Sequence, residues 1–250
     1  MTTVWSYGGG TQTAAIAVLI LQGKLPRPDV AVMADTGREI ESTWGYLCNV
    51  VQPALDVIGL TVEVVPHELS RVDLYDSKGG DLLLIPAFTT QNGAGKMNTY
   101  CSSEWKRDTL ARYLRQRGVT DCDVWLGIST DEVERMKPSR NKWQRHIYPL
   151  IEMVPTSRVA CSALVQAFGW PAPPKSRCWM CPNQSPLMWA DMRREQPQEF
   201  AKAVEFEAEI RERDEHVWLH RAMIPLSDAV DLTDMQPFLF DGCDSGYCFV

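Results

Sequence analysis

Apolar and polar positions along the chain fall into two alternating periods. Thr2 to Tyr7 is β-branched and aromatic, reaches a glycine cluster at Gly8, Gly9 and Gly10, and runs into the helix-forming stretch Gln12 to Leu21. Gly23 and Pro26 end that helix, and Asp29 to Met33 is a short apolar run of the kind found in a buried parallel strand. The alternation continues with a predicted helix from about Glu39 to Ile58, kinked at Pro53, and a strand at Thr61 to Val65. A helix from Ser103 to Arg117 then leads into a strand at Asp123 to Ile128. Strands and helices taken in turn predict an α/β fold, a mostly parallel sheet with helices on both faces.

Between Pro66 and Tyr100 the period fades among Gly, Ser, Asn and Thr, so a long loop or lid is expected at about 67–100. After Pro149 the patterns are helical: Thr156 to Phe168, Ser185 to Gln196 with Ser185 as cap and Pro186 at the first helical position, and Pro197 to Arg213. These shifts predict an α/β domain over 1–150 and a helical region over 151–250. The stiff stretch Trp170 to Pro174 delivers the chain to Cys178 and Cys181.

Composition narrows the class. A chain of 250 residues, 45% hydrophobic and 23% charged, is ordinary for a folded protein and excludes collagen, coiled coil and wholesale disorder. The longest apolar run, Ala14 to Leu21, is far short of the roughly 20 residues a membrane span needs, so no membrane partner and a cytoplasmic location are expected. Lys plus Arg of 25 against Asp plus Glu of 32 gives a formal charge of -7, which argues against a general nucleic-acid coat but leaves room for a local basic site. Eight cysteines are too sparse for a disulfide scaffold and read as thiols, some of them metal ligands.

Three groups of residues carry candidate chemistry. The first is Ser6-Tyr7-Gly8-Gly9-Gly10-Thr11-Gln12-Thr13, where a strand ends and a helix opens, placing backbone N–H groups, hydroxyls and the positive end of a helix dipole together. It is neither a Walker loop nor a dinucleotide fingerprint, and a phosphate or sulfate cradle stands beside a purely structural turn as its two readings. The second is the pair Cys178 and Cys181, of the spacing used by zinc, iron–sulfur clusters and dithiols, with Cys161 and Cys101 as third and fourth thiolates. The third is the tail, with Cys243 and Cys248, read as a redox pair, as metal ligands or as an inert terminus. Two basic sets lie at Lys106, Arg107, Arg112, Arg115 and Arg117, and at Arg135, Lys137, Arg140, Lys142 and Arg145. Arg forks in the second suit phosphate oxygens of a nucleotide or a nucleic-acid backbone, while the first reads best as a solvated helix face.

The first motif resembles the PP-loop of the adenine nucleotide α-hydrolase-like superfamily, and more closely its phosphoadenosine phosphosulfate (PAPS) reductase branch, in a phage-type form; Tyr7, Gly8, Gln12 and Ala14 carry the match. Ala34-Asp35-Thr36-Gly37 is similar to the family's Asp-Thr-Gly, followed here by Glu39 or Glu41 and by Thr43, Trp44 and Tyr46. Tyr100 to Lys106 is similar to the family's Cys-Thr-x-x-x-Lys, and Gly127 to Glu132 with Arg135 to its Gly-x-Arg-x-x-Glu-Ser-x-x-Arg, with Ser129 where the family has Arg. The resemblance implies an adenosine nucleotide (PAPS, APS or ATP) bound by Ser6 to Thr13, Asp35, Thr36, Gly37, Lys106, Gly127, Asp131, Arg135 and Arg140. Gln12 stands where ATP-cleaving members carry a magnesium-holding Asp, which favours a sulfonucleotide or leaves Mg²⁺ to Asp35 or Asp131.

The cysteines resemble those of cluster-binding relatives, including DNA phosphorothioation enzymes, which implies a [4Fe-4S] cluster, or alternatively zinc, on Cys101, Cys161, Cys178 and Cys181. The tail is loosely similar to the family's catalytic Cys-bearing terminus, which implies Cys248 as nucleophile. The expected function is that of an enzyme of sulfur chemistry, a PAPS reductase-like oxidoreductase served by a thiol donor such as thioredoxin. Its alternatives are an ATP-dependent sulfurtransferase that thiolates a nucleobase or nucleic acid, and a non-catalytic, zinc-braced nucleotide sensor.

Overall fold

The computed structural model describes residues 1–77 and 81–235, the side chains of 233–235 excepted. Cys243 and Cys248 therefore lie outside the described residues. Chain contacts divide the molecule into two compact units, 1–70 with 105–177, and 71–104 with 178–250.

The first unit is built on five parallel strands: β1 (Thr2–Ser6), β2 (Val30–Ala34), β3 (Val62–Val65), β4 (Cys122–Trp125) and β5 (Gln144–Ile147). Their order is β3-β2-β1-β4-β5, so the first strand is central and the chain moves outward to one edge before crossing to the other. Such a reversal opens a crevice beyond the carboxyl ends of β1 and β4, the place where open α/β sheets receive ligands.

Helix α1 (Thr11–Leu21) follows β1 and is buried from Thr13 through Ile20, which is why its sequence is apolar nearly all round. It packs with Trp5, Leu47, Val51 and Leu55 on one face of the sheet. That face also carries α2 (Glu41–Tyr46) and α3 (Gln52–Asp56), joined by a π-helical stretch, Leu47–Val51, so the distortion expected at Pro53 falls on the turn before it. The opposite face is covered by α4 (Thr109–Gln116), whose Leu110 and Leu114 pack on Val4, Val32, Val65 and Val124. Helices thus cover both faces, as the alternation predicts.

Beyond β5, α5 (Pro149–Glu152) leads to α6 (Arg158–Ala167), capped by the Ser157 hydroxyl. Cys161 and Val165 of α6 belong to the same apolar cluster as α1, so this helix completes the first unit. The 151–250 region of the sequence reading is accordingly shared between the units, which part at Arg177.

The second unit joins two separated stretches. Residues 71–104, read from sequence as a loop or lid, contribute short strands: Tyr75–Asp76 pairs with Leu82–Leu83, and Phe88–Thr89 lies between Gly95–Lys96 and Val217–Trp218. Helices α7 (Pro186–Glu195), α8 (Pro197–Arg213) and α9 (Leu226–Met235) supply the remainder. Glu207 of α8 is buried and accepts from the backbone N–H of Leu219 at 2.8 Å and of Leu226, the first residue of α9, at 2.6 Å. Burial raises its carboxyl pKa against the pull of those two donors. Among the described residues no helix is long and apolar enough to cross a membrane.

Candidate functional site

β1 ends at Ser6, and the chain enters α1 through Tyr7, Gly8, Gly9 and Gly10. The Tyr7 N–H donates to Val32 O at 2.8 Å, so the loop leaves the sheet only after Tyr7. The first bond of the α1 ladder is Ala14 N–H to Gly10 O at 3.0 Å, with the Thr13 hydroxyl also on Gly10 O at 2.9 Å. Gly10 has no side chain to cap the helix, so the amides of Thr11, Gln12 and Thr13 are the donors a helix start leaves for an anion.

Gly9 has φ +75, and a Cβ there would lie 2.4 Å from Thr43 Cγ2 and 3.4 Å from Ser176 Oγ. Glycine is thus required both by backbone angle and by the closeness of two side-chain walls. The Thr43 wall is fully buried, and its hydroxyl has no hydrogen-bond partner among the described residues; the same is true of the Tyr7 hydroxyl. Burial, with Tyr46 and Cys48 adding to it, pushes the Tyr7 phenol far above its ordinary range, so it stays a neutral donor.

Ser176 is held by Glu39: its hydroxyl donates to Glu39 Oε1 at 2.6 Å, and Lys106 Nζ reaches Glu39 Oε2 at 3.4 Å. The Glu39 side chain is fully buried while that of Lys106 is 41% exposed, so the lysine bridges a buried carboxylate and open solvent. The residue before each joins in, since the Arg38 guanidinium stacks 4.6 Å from the Trp105 ring centroid. Arg38 also donates to Thr36 O at 3.0 Å and lies 3.0 Å from His67 Nε2, which must accept because a guanidinium only donates. These contacts fix the segment after β2, where Gly37 N–H closes on Asp35 Oδ1 at 2.7 Å and Gly37 takes φ +66.

On the other flank, a Cβ on Gly127 would lie 2.9 Å from Thr13 Cγ2, so the chain leaving β4 presses against the first turn of α1. The Gln12 amide donates to Glu132 Oε2 at 2.9 Å, and Arg135 holds Glu132 Oε1 at 2.6 Å. Gln12 thereby keeps its carbonyl oxygen and one amide N–H for a ligand. Asp131 is turned elsewhere, accepting from Arg158 N–H at 2.9 Å at the start of α6. Partial burial pushes its carboxyl up, but bonds from the Ser129 hydroxyl and from backbone amides outweigh this and hold it below the usual carboxylate range. Arg140 is exposed in the following loop and joins none of these contacts.

Contacts thus tie Gly9 through Ser176 and Glu39 to Lys106 on one flank and Gln12 and Thr13 to Gly127, Glu132 and Arg135 on the other, with Asp35, Thr36 and Gly37 in the turn after β2. Sequence reasoning missed Ser176, which lies just past the proline-rich connector, and the tie between Glu39 and Lys106. A serine between Lys175 and Arg177 gives no signal of its own.

The cysteines divide between the two units. Cys178 and Cys181 share a turn in the second, Cys181 N–H donating to Cys178 O at 3.1 Å, with Trp179 edge-on to Phe206 at 5.6 Å. Cys101 belongs to the same unit. Cys161 instead is fully buried in the apolar core of the first, and burial, reinforced by Asp131 and Glu132, pushes its thiol up to about 12. In that state Cys161 packs as a small apolar group. Among the described residues no three His, Cys, Asp or Glu side chains stand together as a metal-binding group.

The basic helix has partners of its own: Arg107 bonds Asp108 at 2.8 Å, Arg117 pairs with Glu63, and Arg115 stacks 4.0 Å from the Trp143 centroid.

No family model and no curated protein matches the chain. Among solved structures, the chain is similar to a phosphoadenylyl-sulfate (PAPS) reductase from Candida auris in complex with phosphate, with TM-score 0.46 and 13% identity over 69% of this chain and 75% of that one. It is also similar to a U34-tRNA thiolase from Methanococcus maripaludis with its [4Fe-4S] cluster, with TM-score 0.44 and 13% identity over 93% of this chain and 70% of that one. At such identity and superposition neither likeness bears on the chemistry, which rests on the residues just described.

Proposed function

We propose that the chain is a PAPS reductase-like enzyme of sulfur chemistry that binds an adenosine nucleotide at the loop Ser6 to Thr13. The observation that carries this reading is Gly9: a left-handed backbone angle, no room for a Cβ, and the orphaned Thr43 hydroxyl beside it. A turn that only changed direction would not need buried donors without partners around it. The helix amides, Thr11 and Thr13 would take phosphate oxygens, and Lys106, placed by Glu39, would supply positive charge.

Gln12 bound to Glu132 offers no carboxylate to Mg²⁺, which supports a sulfonucleotide over ATP. The proposed reduction then runs on this chain's thiol. The Cys248 thiolate attacks the sulfonyl sulfur, the bond from sulfur to the phosphate oxygen breaks, and the adenosine nucleotide leaves with that oxygen and its electron pair. The sulfonate now sits on Cys248 as a thiosulfonate. A dithiol donor of the thioredoxin type attacks the Cys248 sulfur, sulfite departs, and the donor's second thiol closes its own disulfide and frees Cys248. No step passes through a cluster or zinc. Calorimetry with PAPS, APS and ATP, followed by sulfite release with a dithiol donor, tests this reading; binding without sulfite would remove the reduction and keep the cradle.

A second reading, ATP-dependent thiolation of a nucleic acid, is favoured by one specific observation: Arg135, bonded through Glu132 to Gln12, opens a stretch from 135 to 151 that contains no acidic residue. Formation of AMP or pyrophosphate from ATP only with an acceptor and a sulfur donor would identify it.

A further inference from the structure

The stretch from the site into β5 holds five cations in eleven residues, Arg135, Lys137, Arg140, Lys142 and Arg145, in a chain whose formal charge is -7. The segment is pinned along its length. Lys137 N–H donates to the Tyr148 hydroxyl at 2.9 Å, and the Tyr148 hydroxyl donates back to Lys137 O at 2.8 Å. His146 Nδ1 also meets Lys137 O at 2.8 Å and must carry the proton, since a carbonyl only accepts. Toward the other end, Asn141 N–H bonds Ser139 Oγ at 3.1 Å, Gln144 N–H bonds Asn141 O at 3.0 Å, and Cys122 N–H bonds Trp143 O at 3.0 Å.

These bonds lay the segment back beside β5, because Lys137 sits at the strand's carboxyl end and Trp143 immediately before its first residue. Trp143 in turn carries Arg115 on its ring, which adds a sixth cation from α4. The two basic sets of the sequence thus meet at one aromatic side chain. At the ends the charge is spent internally, Arg135 on Glu132 and Arg145 on Asp123. Between them Arg140 and Lys142 are exposed and form no ion pair among the described residues.

We infer that this track is a docking surface for the phosphodiester backbone of a nucleic acid, with its upper end at the nucleotide crevice through Arg135, Glu132 and Gln12; the inference rests on the second reading above. Cations two to three residues apart on a pinned segment suit successive phosphates. Holding the segment in advance removes the ordering cost that a mobile basic loop would incur on binding.

The test uses the full chain and fluorescence anisotropy with a labelled 20-nucleotide single-stranded RNA, the same sequence as DNA, and polyglutamate as a competing polyanion. The track predicts binding of at least one nucleic acid, with the logarithm of the affinity falling linearly with log salt by about 0.7 per phosphate contacted. Which strand binds more tightly identifies its source. Lys137→Glu/Lys142→Glu should weaken binding by about tenfold or more and reduce the slope by about 1.4, with an unchanged melting temperature and unchanged affinity for PAPS or ATP. Failure of wild type to bind either strand at low salt, binding indifferent to the double substitution, or equal competition by polyglutamate, which would indicate an acidic protein partner, overturns the proposal. The nucleotide titration is read separately, so failure of the track leaves the cradle standing, and failure of ATP to bind is registered as failure of the thiolation reading, apart from the strand-binding result.

Discussion

Substituting Gly9 by Ala adds one methyl group where the structure offers neither a backbone angle nor a space for it. The left-handed φ costs an L-residue roughly 1–2 kcal/mol. The contact of 2.4 Å with Thr43 Cγ2 forces an adjustment of the overpacking kind, roughly 1–3 kcal/mol. Together these predict a loss of about 2–5 kcal/mol, large against the roughly 5–15 kcal/mol that holds a domain folded. The two causes are separable because Thr43→Ser deletes the clashing methyl and keeps the hydroxyl. In urea denaturation, Gly9→Ala/Thr43→Ser should therefore be more stable than the sum of its single changes by about 1–3 kcal/mol, leaving the backbone penalty in place. Gly8→Ala is the control: its Cβ would meet nothing nearer than 3.8 Å, and stability should stay within about 0.5 kcal/mol of wild type. Additive single changes, or a Gly9→Ala protein as stable as Gly8→Ala, would refute the reasoning.

Other consequences follow from the same geometry. Lys106→Met should lower nucleotide affinity about tenfold or more in calorimetry yet cost under about 1 kcal/mol of stability, because its bridge to Glu39 is partly solvent-exposed. Cys161→Ala should leave the iron or zinc content of the purified protein unchanged while lowering its melting temperature; metal loss in that variant would restore Cys161 as a ligand. With thiols pushed up to about 12 and about 11 by burial, Cys161 and Cys122 should resist iodoacetamide at pH 8 until unfolded, while exposed Cys48 reacts, as peptide mass analysis would show. His220, buried in the second unit and lowered by burial to about 4, stays neutral when folded. Its unfolded form protonates near 6.5, so stability present above that pH should fall by about 3 kcal/mol as pH drops from 6.5 to 4, and His220→Gln should flatten that part of the profile.

What could be read in advance, and what could not, follows from which residues carry a period. Ala14 to Leu21 announces α1 because a helix buried on nearly every side must be apolar on nearly every side. Val30 to Ala34 is legible for the same reason, as a strand with neighbours on both sides, and Val62 to Val65, at one edge, is legible through its valines, two of them buried. The fifth strand, Gln-Arg-His-Ile, carries no strand signal: it lies at the sheet edge, three of its four residues are polar, and nothing in so short a run separates it from a loop. The strands Tyr75–Asp76 and Phe88–Thr89 are two residues long, below the reach of any period, so the stretch expected to be a loop or lid gives no sign of the two small sheets it contributes to. The burial of Cys161 is legible too, because Leu164 and Val165 at i+3 and i+4 mark the apolar stripe that carries it into the core. At the site, glycine identity gave the loop away, but Ser176 and Glu39 meet only through tertiary structure, 137 residues apart.

The central claim, that the loop from Ser6 to Thr13 is an adenosine-nucleotide cradle, is tested most directly by titrating the full chain with PAPS, APS and ATP in a calorimeter. The account predicts saturable binding at one site, tightest for a sulfonucleotide because Gln12 offers magnesium no carboxylate, and loss of that binding in the folded Gly9→Ala/Thr43→Ser protein. Absence of binding for all three nucleotides, or undiminished binding in that variant, would contradict it.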